Sequence, residues 1–275
     1  MLILAIYDIP LIFVSSVATG LLGMEGAHYC DYPLLIYFLG NNAFGLWMGC
    51  SFTCVALAVN RISEVNPNLH IAWIFRGRCM NFLLFGLLAV GAYGVCCAKP
   101  VLFHAEYMSW FFNPGIGHDV CFSLGLADSL RFQPADYVSL IQALNNIGMP
   151  IVITILNSYL CWFIIKTGRL TNSPAFIKAQ RSVILQAAII CFTHMITSML
   201  YVYMQFFESP EFLILIAQLG WQMTNGSVSI IYLTLNRSIR ISVLQMFLPK
   251  SVEPSQTIMV VANNNTIMAT YQKPL

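Results

Sequence analysis

Charged residues interrupt this chain so rarely that the gaps between them form its clearest pattern. Charge-free runs lie between Asp8 and Glu25, Asp31 and Arg61, Arg78 and Lys99, Asp136 and Lys166, Arg181 and Glu208, and Glu211 and Arg237. The first is short unless it extends back through Asp8 to Met1. A bilayer core takes roughly 20 apolar residues in helical form. The pattern therefore predicts six membrane-spanning helices, over about 1–24, 32–60, 79–98, 137–165, 182–207 and 212–236. The fold class is an all-α, polytopic transmembrane bundle.

Composition sharpens this reading. Only 9% of the 275 residues are charged, 58% are hydrophobic and the mean hydropathy is +0.74. Soluble domains carry about 25% charged residues, so a water-soluble globular enzyme is excluded. Residues 1–24 have a competing reading as a secretory leader, because SSVATG is rich in small residues. Against it, no basic segment precedes the run and Asp8 interrupts it.

The distribution of charge gives the sidedness. All Lys and Arg but Lys99 and Arg131 fall in the connections after spans two and four or in and beside the tail. The opposite loops hold Glu25, Asp31, Glu106, Asp119, Asp128, Asp136, Glu208 and Glu211. Basic loops stay cytoplasmic, so both termini are expected inside the cell, in a multi-pass protein of the plasma membrane.

The longest outer loop, from Lys99 to Asp136, is rich in aromatic and turn residues and reads as an ordered cap. Of the nine cysteines, Cys30 and Cys121 face the oxidising exterior, and a bridge between them ties this loop to the second span. Cys96 and Cys97 remain competing partners. The sequons at Asn225, Asn236 and Asn264 lie in a span, at its inner end and in the tail, where no sugar is expected.

Two inner helix ends echo one another, LAVNR at residues 57–61 and LTLNR at 233–237. A snorkelling arginine at such an end is routine, and the residues upstream do not align as a repeat. After the second motif, Ile239, Val243, Met246 and Phe247 share one helical face opposite Arg237 and Arg240. That predicts an interfacial helix over about 237–248, followed by a flexible tail, 249–275.

Here the chain resembles a known family. YVYMQFF…ILIAQLGWQMTNGSVSIIYLTLNRSIRISVL looks like the last two spans and following helix of nematode serpentine chemoreceptors. GLWMGCSFTCVALAVNRISE resembles their third helix, WFFNPGIG their second outer loop and ALNNIGMPIVI their fifth helix. Class t is the nearest match and class x the next. The resemblance covers nearly the whole chain. It implies a rhodopsin-like seven-helix receptor, a small-molecule ligand, a heterotrimeric G protein as partner and, in sensory neurons, the ciliary membrane. It implies that Asn60, Arg61, Asn236, Arg237 and Arg240 flank the cleft that admits the G protein, with Glu64 as the acid nearest Arg61. Two departures accompany it. Ser227-Val228-Ser229 stands where family members usually carry a proline, and MLILAIYDIPLIFVSSVATGLLG resembles helix two, so the first helix is expected to be missing.

Polar residues within spans are functional candidates because burying them in hydrocarbon is costly. At about 1.5 Å per residue, Trp47 sits roughly 21 Å from Arg61, in the outer half. Asn41 and Phe44 lie at or above that level. Gln142, Asn145 and Asn146 sit above Pro150 in the fourth span, Tyr201 and Gln205 in the fifth, and Gln218, Trp221 and Gln222 in the last. Together they would line an outward-open pocket suited to a small neutral ligand; interhelical hydrogen bonding is the competing use of such amides. Asp8, the one acid inside a span, is expected to pair with Asn60 or Asn225, or to lie near the inner interface if the span starts late; an ion site there is the less favoured reading. Gly45 and Gly49 read as a packing motif within the bundle.

The His and Cys residues lack metal-ligand spacing, and no HExxH, GxSxG or phosphate-binding loop occurs. The sequence thus points to no enzyme, cofactor, metal or nucleic acid. A transporter is the main alternative function, although neither repeated halves nor a broken helix pair is visible. A truncated, non-signalling receptor is the other.

Overall fold

The computed structural model describes residues 2–66, 69–113, 137–168 and 174–235. The first rod is α1 (Leu2–Ile12), a π-helical segment (Phe13–Ala18) and α2 (Thr19–Met24). It is followed by α3 (Pro33–Val65), a 3-10 turn (His70–Phe75), α4 (Gly77–Cys97), β1 (Leu102–His104), β2 (Ser109–Phe111), α5 (Leu140–Gly168), α6 (Pro174–Phe206) and α7 (Glu211–Leu235). Among the described residues, five helices are long and apolar enough to cross a membrane: Ile3–Met24, Pro33–Val65, Gly77–Cys97, Leu140–Thr167 and Ile184–Phe206. The sixth rod, α7, has 25 residues and carries Glu211 in its first turn. Residues Met1–Ile231 form one compact unit. Beyond it only the last turn of α7 is described, so Asn236, Arg237, Arg240, the segment 237–248 and the tail lie outside the described residues, as does Cys121.

The bundle has an outside that is apolar and an inside that is polar. Phe82, Phe85, Leu34, Leu144 and Phe192 are among the most exposed side chains, whereas Asp8, Ser15, Asn145, Asn146, His194, Thr197, Gln218 and Asn225 are buried. That inversion suits a bilayer, where lipid replaces water around the rods and interhelical polar contacts help to join them. α3 is the central rod, packed on α1, α4 and α5, and α5 packs on α6. Thr197 and Thr224 join α6 to α7 through hydroxyls 3.2 Å apart. Two α7 glutamines reach the first rod, closing a ring of five rods. α4 packs outside that ring against α3, and only 17% of its membrane-length window is buried, against 56% for α3.

Glycines set the α3–α4 approach. A β-carbon on Gly94 would sit 2.7 Å from the Gly45 Cα, and one on Gly45 would lie 2.7 Å from the Gly91 carbonyl oxygen. Gly49 and Gly91 leave the space that the Tyr7 ring fills, and its hydroxyl donates to the Leu87 carbonyl (2.8 Å). The small-residue motif therefore packs within the bundle.

The described part of the long loop is ordered. Strands β1 and β2 form an antiparallel hairpin in the register Leu102↔Phe111, Phe103↔Trp110 and His104↔Ser109, and all six residues are buried. This small sheet adds to the helical architecture that periodicity gives. Phe103 and Trp110 join Ile36, Trp47 and Trp221 in the main apolar core, which lies directly beneath the hairpin.

Candidate functional site

The hairpin end of the bundle holds a cavity of about 560 Å³ between β2, the start of α5 and the ends of α6 and α7. Tyr107, Trp110, Phe111 and Phe112 form its hairpin side, Gln142 comes from α5, and Tyr201, Met204, Gln205 and Glu208 come from α6 and the residues after it. A second chamber of about 40 Å³ lies among Ala43, Phe44, Trp47, Val101, Asn146 and Trp221. Trp110, Gln142 and Tyr201 line both. The outer volume falls in the range of about 300–1,000 Å³ usual for small-ligand pockets; the chamber has room for a water or a methyl-sized group.

Several of the predicted residues meet at these walls, each held by a neighbour. Trp47 Nε1 donates to Asn146 Oδ1 (2.8 Å), and the Trp47 ring stacks on His194 with centroids 5.6 Å apart. Tyr201 lies edge-to-face with Trp221 at 6.1 Å. Phe44 meets Phe112 edge-to-face at 6.0 Å. Gln142 and Gln205 differ from the rest. Gln142 Oε1 and both amide atoms of Gln205 are buried without a hydrogen-bond partner. A buried polar atom left unpaired costs about 1–3 kcal/mol, and a turn of the amide is what would bring these atoms to a ligand in the cavity.

The remaining candidates lie behind the walls. Asn145 Nδ2 reaches Ser51 Oγ and Asn146 Oδ1, both at 3.5 Å. Asn41 is buried, with its Oδ1 unpartnered. Gln218 and Gln222 do not line the cavity; their Nε2 atoms donate to one acceptor, the Ser15 carbonyl, at 3.0 and 2.7 Å. Ser15 sits within the π-helical segment, where the altered backbone pairing exposes a carbonyl to partners outside the helix. Gln218 Oε1 in turn accepts from Tyr201 (3.1 Å) and Ser109 (3.4 Å). Trp110 Nε1 donates to Thr19 Oγ1 (2.8 Å), whose hydroxyl donates to the Val14 carbonyl (2.9 Å). Hairpin, α6, α7 and the π-helical segment are thus joined by one polar network centred on Gln218. Sequence reading placed Gln218 at the right level but assigned no role to Ser15, Thr19, Trp110 or His194. The mixed aromatic and polar composition of SWFF was the available signal for the hairpin.

At the other end, Asn60 Nδ2 donates to Glu64 Oε1 (2.8 Å), so Glu64 is engaged by Asn60 within α3. Arg61 is half-buried beside them. Asn66 Nδ2 donates to the Tyr159 hydroxyl (3.2 Å), linking the foot of α3 to α5. Asp8 is buried and accepts from the Cys50 thiol (3.2 Å). This corrects the expected pairing: the Asn60 amide goes to Glu64, and the amide atoms of Asn225 are buried without partners. Cys30 is disulfide-bonded, while Cys50, Cys54, Cys79, Cys96, Cys97, Cys161 and Cys191 are free. Among the described residues no cluster of His, Cys, Asp or Glu has the arrangement of a metal site.

These features define a multi-pass helical membrane protein with a cavity beneath a structured hairpin. The family described as serpentine type seven-transmembrane G-protein-coupled chemoreceptor Srt matches residues 1–256. The chain belongs to that family of chemoreceptors. It is 24% identical over 271 residues to serpentine receptor class T-55 of Caenorhabditis elegans, covering 98% of this chain and 70% of that relative. No solved structure matches.

Proposed function

We propose that this protein is a chemosensory receptor that takes a small external molecule into the cavity beneath the hairpin and activates a heterotrimeric G protein at the opposite end. The observation that carries the reading is the cavity itself, with the unpaired Gln142 and Gln205 atoms buried at its wall. The partition of Lys and Arg supports a cytoplasmic position for the Arg61 end and for both termini in the plasma membrane.

Signalling requires a ligand that binds two bundle states with different affinity. Tyr201 connects the cavity to that requirement. It lines the outer cavity and the chamber and donates to Gln218, which also holds the Ser15 carbonyl. A ligand that displaces the Tyr201 hydroxyl changes the partners of Gln218, and with them the seating of α7 against the first rod. At the cytoplasmic end Arg61, with Asn60, Asn236, Arg237 and Arg240, is the surface offered to the G protein. A bridge from Cys30 to Cys121 anchors the long loop to the start of α3, and peptide mapping of the unreduced protein tests it.

The experiment is nucleotide exchange on a co-expressed G protein while a panel of small odorants is applied from outside. Ligand-dependent exchange that is lost on Tyr201→Phe together with Gln205→Leu supports the reading. Solute flux into vesicles without exchange contradicts it and makes the protein a transporter.

A further inference from the structure

We infer that the outer cavity selects a small organic cation, a protonated or quaternary amine carrying an apolar body. The inference rests on the receptor reading above and deepens it by naming the chemical class of the ligand.

Glu208 is the one charged side chain among the described residues that line the cavity, and no Lys, Arg or His accompanies it there. Gln142 supplies the second, independent observation. It is only 8% exposed, it lines both the cavity and the chamber, and its Oε1 accepts no hydrogen bond. A wall that carries both an unpaired acceptor and a carboxylate, the latter exposed, calls for a donor, and an ammonium group brings donors and the matching charge together. Tyr107, Trp110 and Tyr201 add aromatic side chains to the same walls. Ring faces attract a cation by about 0.5–2 kcal/mol, more as water is excluded.

The surroundings act in the same direction. Burial first, and then the charges of Glu106 and Glu211, hold the Tyr107 phenol above its ordinary range. Glu106 and Glu211 thus lie near the Tyr107 side of the wall without lining it, and both are exposed. Lys99 opposes this from the edge, where its Nζ donates to the Val138 carbonyl (3.1 Å); like Glu208 it is exposed to solvent, but it does not line the cavity. The amides alone suit a neutral ligand; Glu208, which follows α6 in the chain, shifts the preference to a cation.

The test needs no knowledge of the natural ligand. In the full chain in intact cells, with the exposed Cys96 and Cys97 replaced by Ser, Met204→Cys places a thiol on the cavity wall. Its reaction with trimethylammonium-ethyl and sulfonato-ethyl methanethiosulfonates is compared after correction for their rates with a free thiol. The cationic reagent is expected to react faster by about tenfold, as focusing fields give. Glu208→Gln should bring the ratio toward unity. Benzyltrimethylammonium should slow the labelling, while neopentylbenzene, of the same shape, should not. Equal rates for the two reagents, or equal protection by the two aromatic compounds, overturns the cation assignment and leaves the cavity standing. A thiol that none of the reagents reaches, the small neutral methyl reagent included, removes the open cavity and with it the receptor reading.

Discussion

The two ends of the bundle use their polar side chains in different ways. At the hairpin end the hydrogen bonds run between elements far apart in the chain: Trp47 to Asn146, Trp110 to Thr19, Gln218 and Gln222 to Ser15. Among the described residues at the Arg61 end, Asn60 bonds Glu64 and Ser63 bonds the Asn60 carbonyl within α3, while Asn66 joins α3 to α5 through Tyr159. Long-range bonds fix the relative positions of rods; local bonds keep a helix intact and leave the rods free to separate. Among the described residues, the hairpin end ties α3, α5, α7, the hairpin and the first rod together, while the Arg61 end ties α3 to α5. On the proposed reading, rigid placement serves the end where a ligand is recognised, and the opposite end is the one a partner must enter.

The comparison can be broken most severely where both ends depend on the same seam. Gly45→Leu drives a side chain into Val95 and the Gly91 carbonyl. Overpacking a seam this tight is expected to cost about 3 kcal/mol or more, seen as loss of folded receptor at the cell surface. Next comes Gln218→Leu, which strips partners from the Tyr201 and Ser109 hydroxyls and one donor from the Ser15 carbonyl. A loss of about 1–3 kcal/mol is expected, read as a lower melting temperature in detergent with impaired ligand-evoked exchange. Arg61→Ala separates the ends. Nucleotide exchange should weaken by about tenfold, within the 1–3 kcal/mol common for coupled sites, while surface expression and cavity labelling stay at wild-type values. Unchanged exchange would remove Arg61 from the mechanism. Gln222→Leu is the mildest. Ser15 keeps its bond from Gln218, so the loss should be about 0.6 kcal/mol, the average for an interhelical hydrogen bond in a bilayer. A melting-temperature shift matching that of Gln218→Leu would show that the two glutamines do not divide the roles assigned to them.

What the sequence made legible follows from what periodicity measures. Spacing between charges located the rods, the helical rise put Trp47 in the outer half of its span, and Gln142, Asn146, Tyr201 and Trp221 were grouped with it as lining residues; the structure brings these five to shared walls. Depth says nothing about rotation between rods. Gln218 and Gln222 therefore looked like pocket residues when their amides in fact serve the Ser15 carbonyl. The π-helical segment carries no composition signal, since FVSSVA reads like any apolar helix, yet it creates that acceptor. Asp8 was legible as unusual, but its partner was not: a thiol on the next rod answers an acid as quietly as an amide does. Glu208 follows the end of α6 in a connection whose path no pattern of hydrophobic positions fixes, so its place on the cavity wall was invisible.

The claim beneath this comparison is that the hairpin end faces the outside and the Arg61 end faces the cytoplasm. A glycosylation-acceptor tag inserted between Lys166 and Arg181, with a matching tag at Asn113 as control, reads it directly. The expected result is sugar at the Asn113 tag alone. Sugar at the tag between α5 and α6 would contradict the account, because the cavity would then open to the cytoplasm.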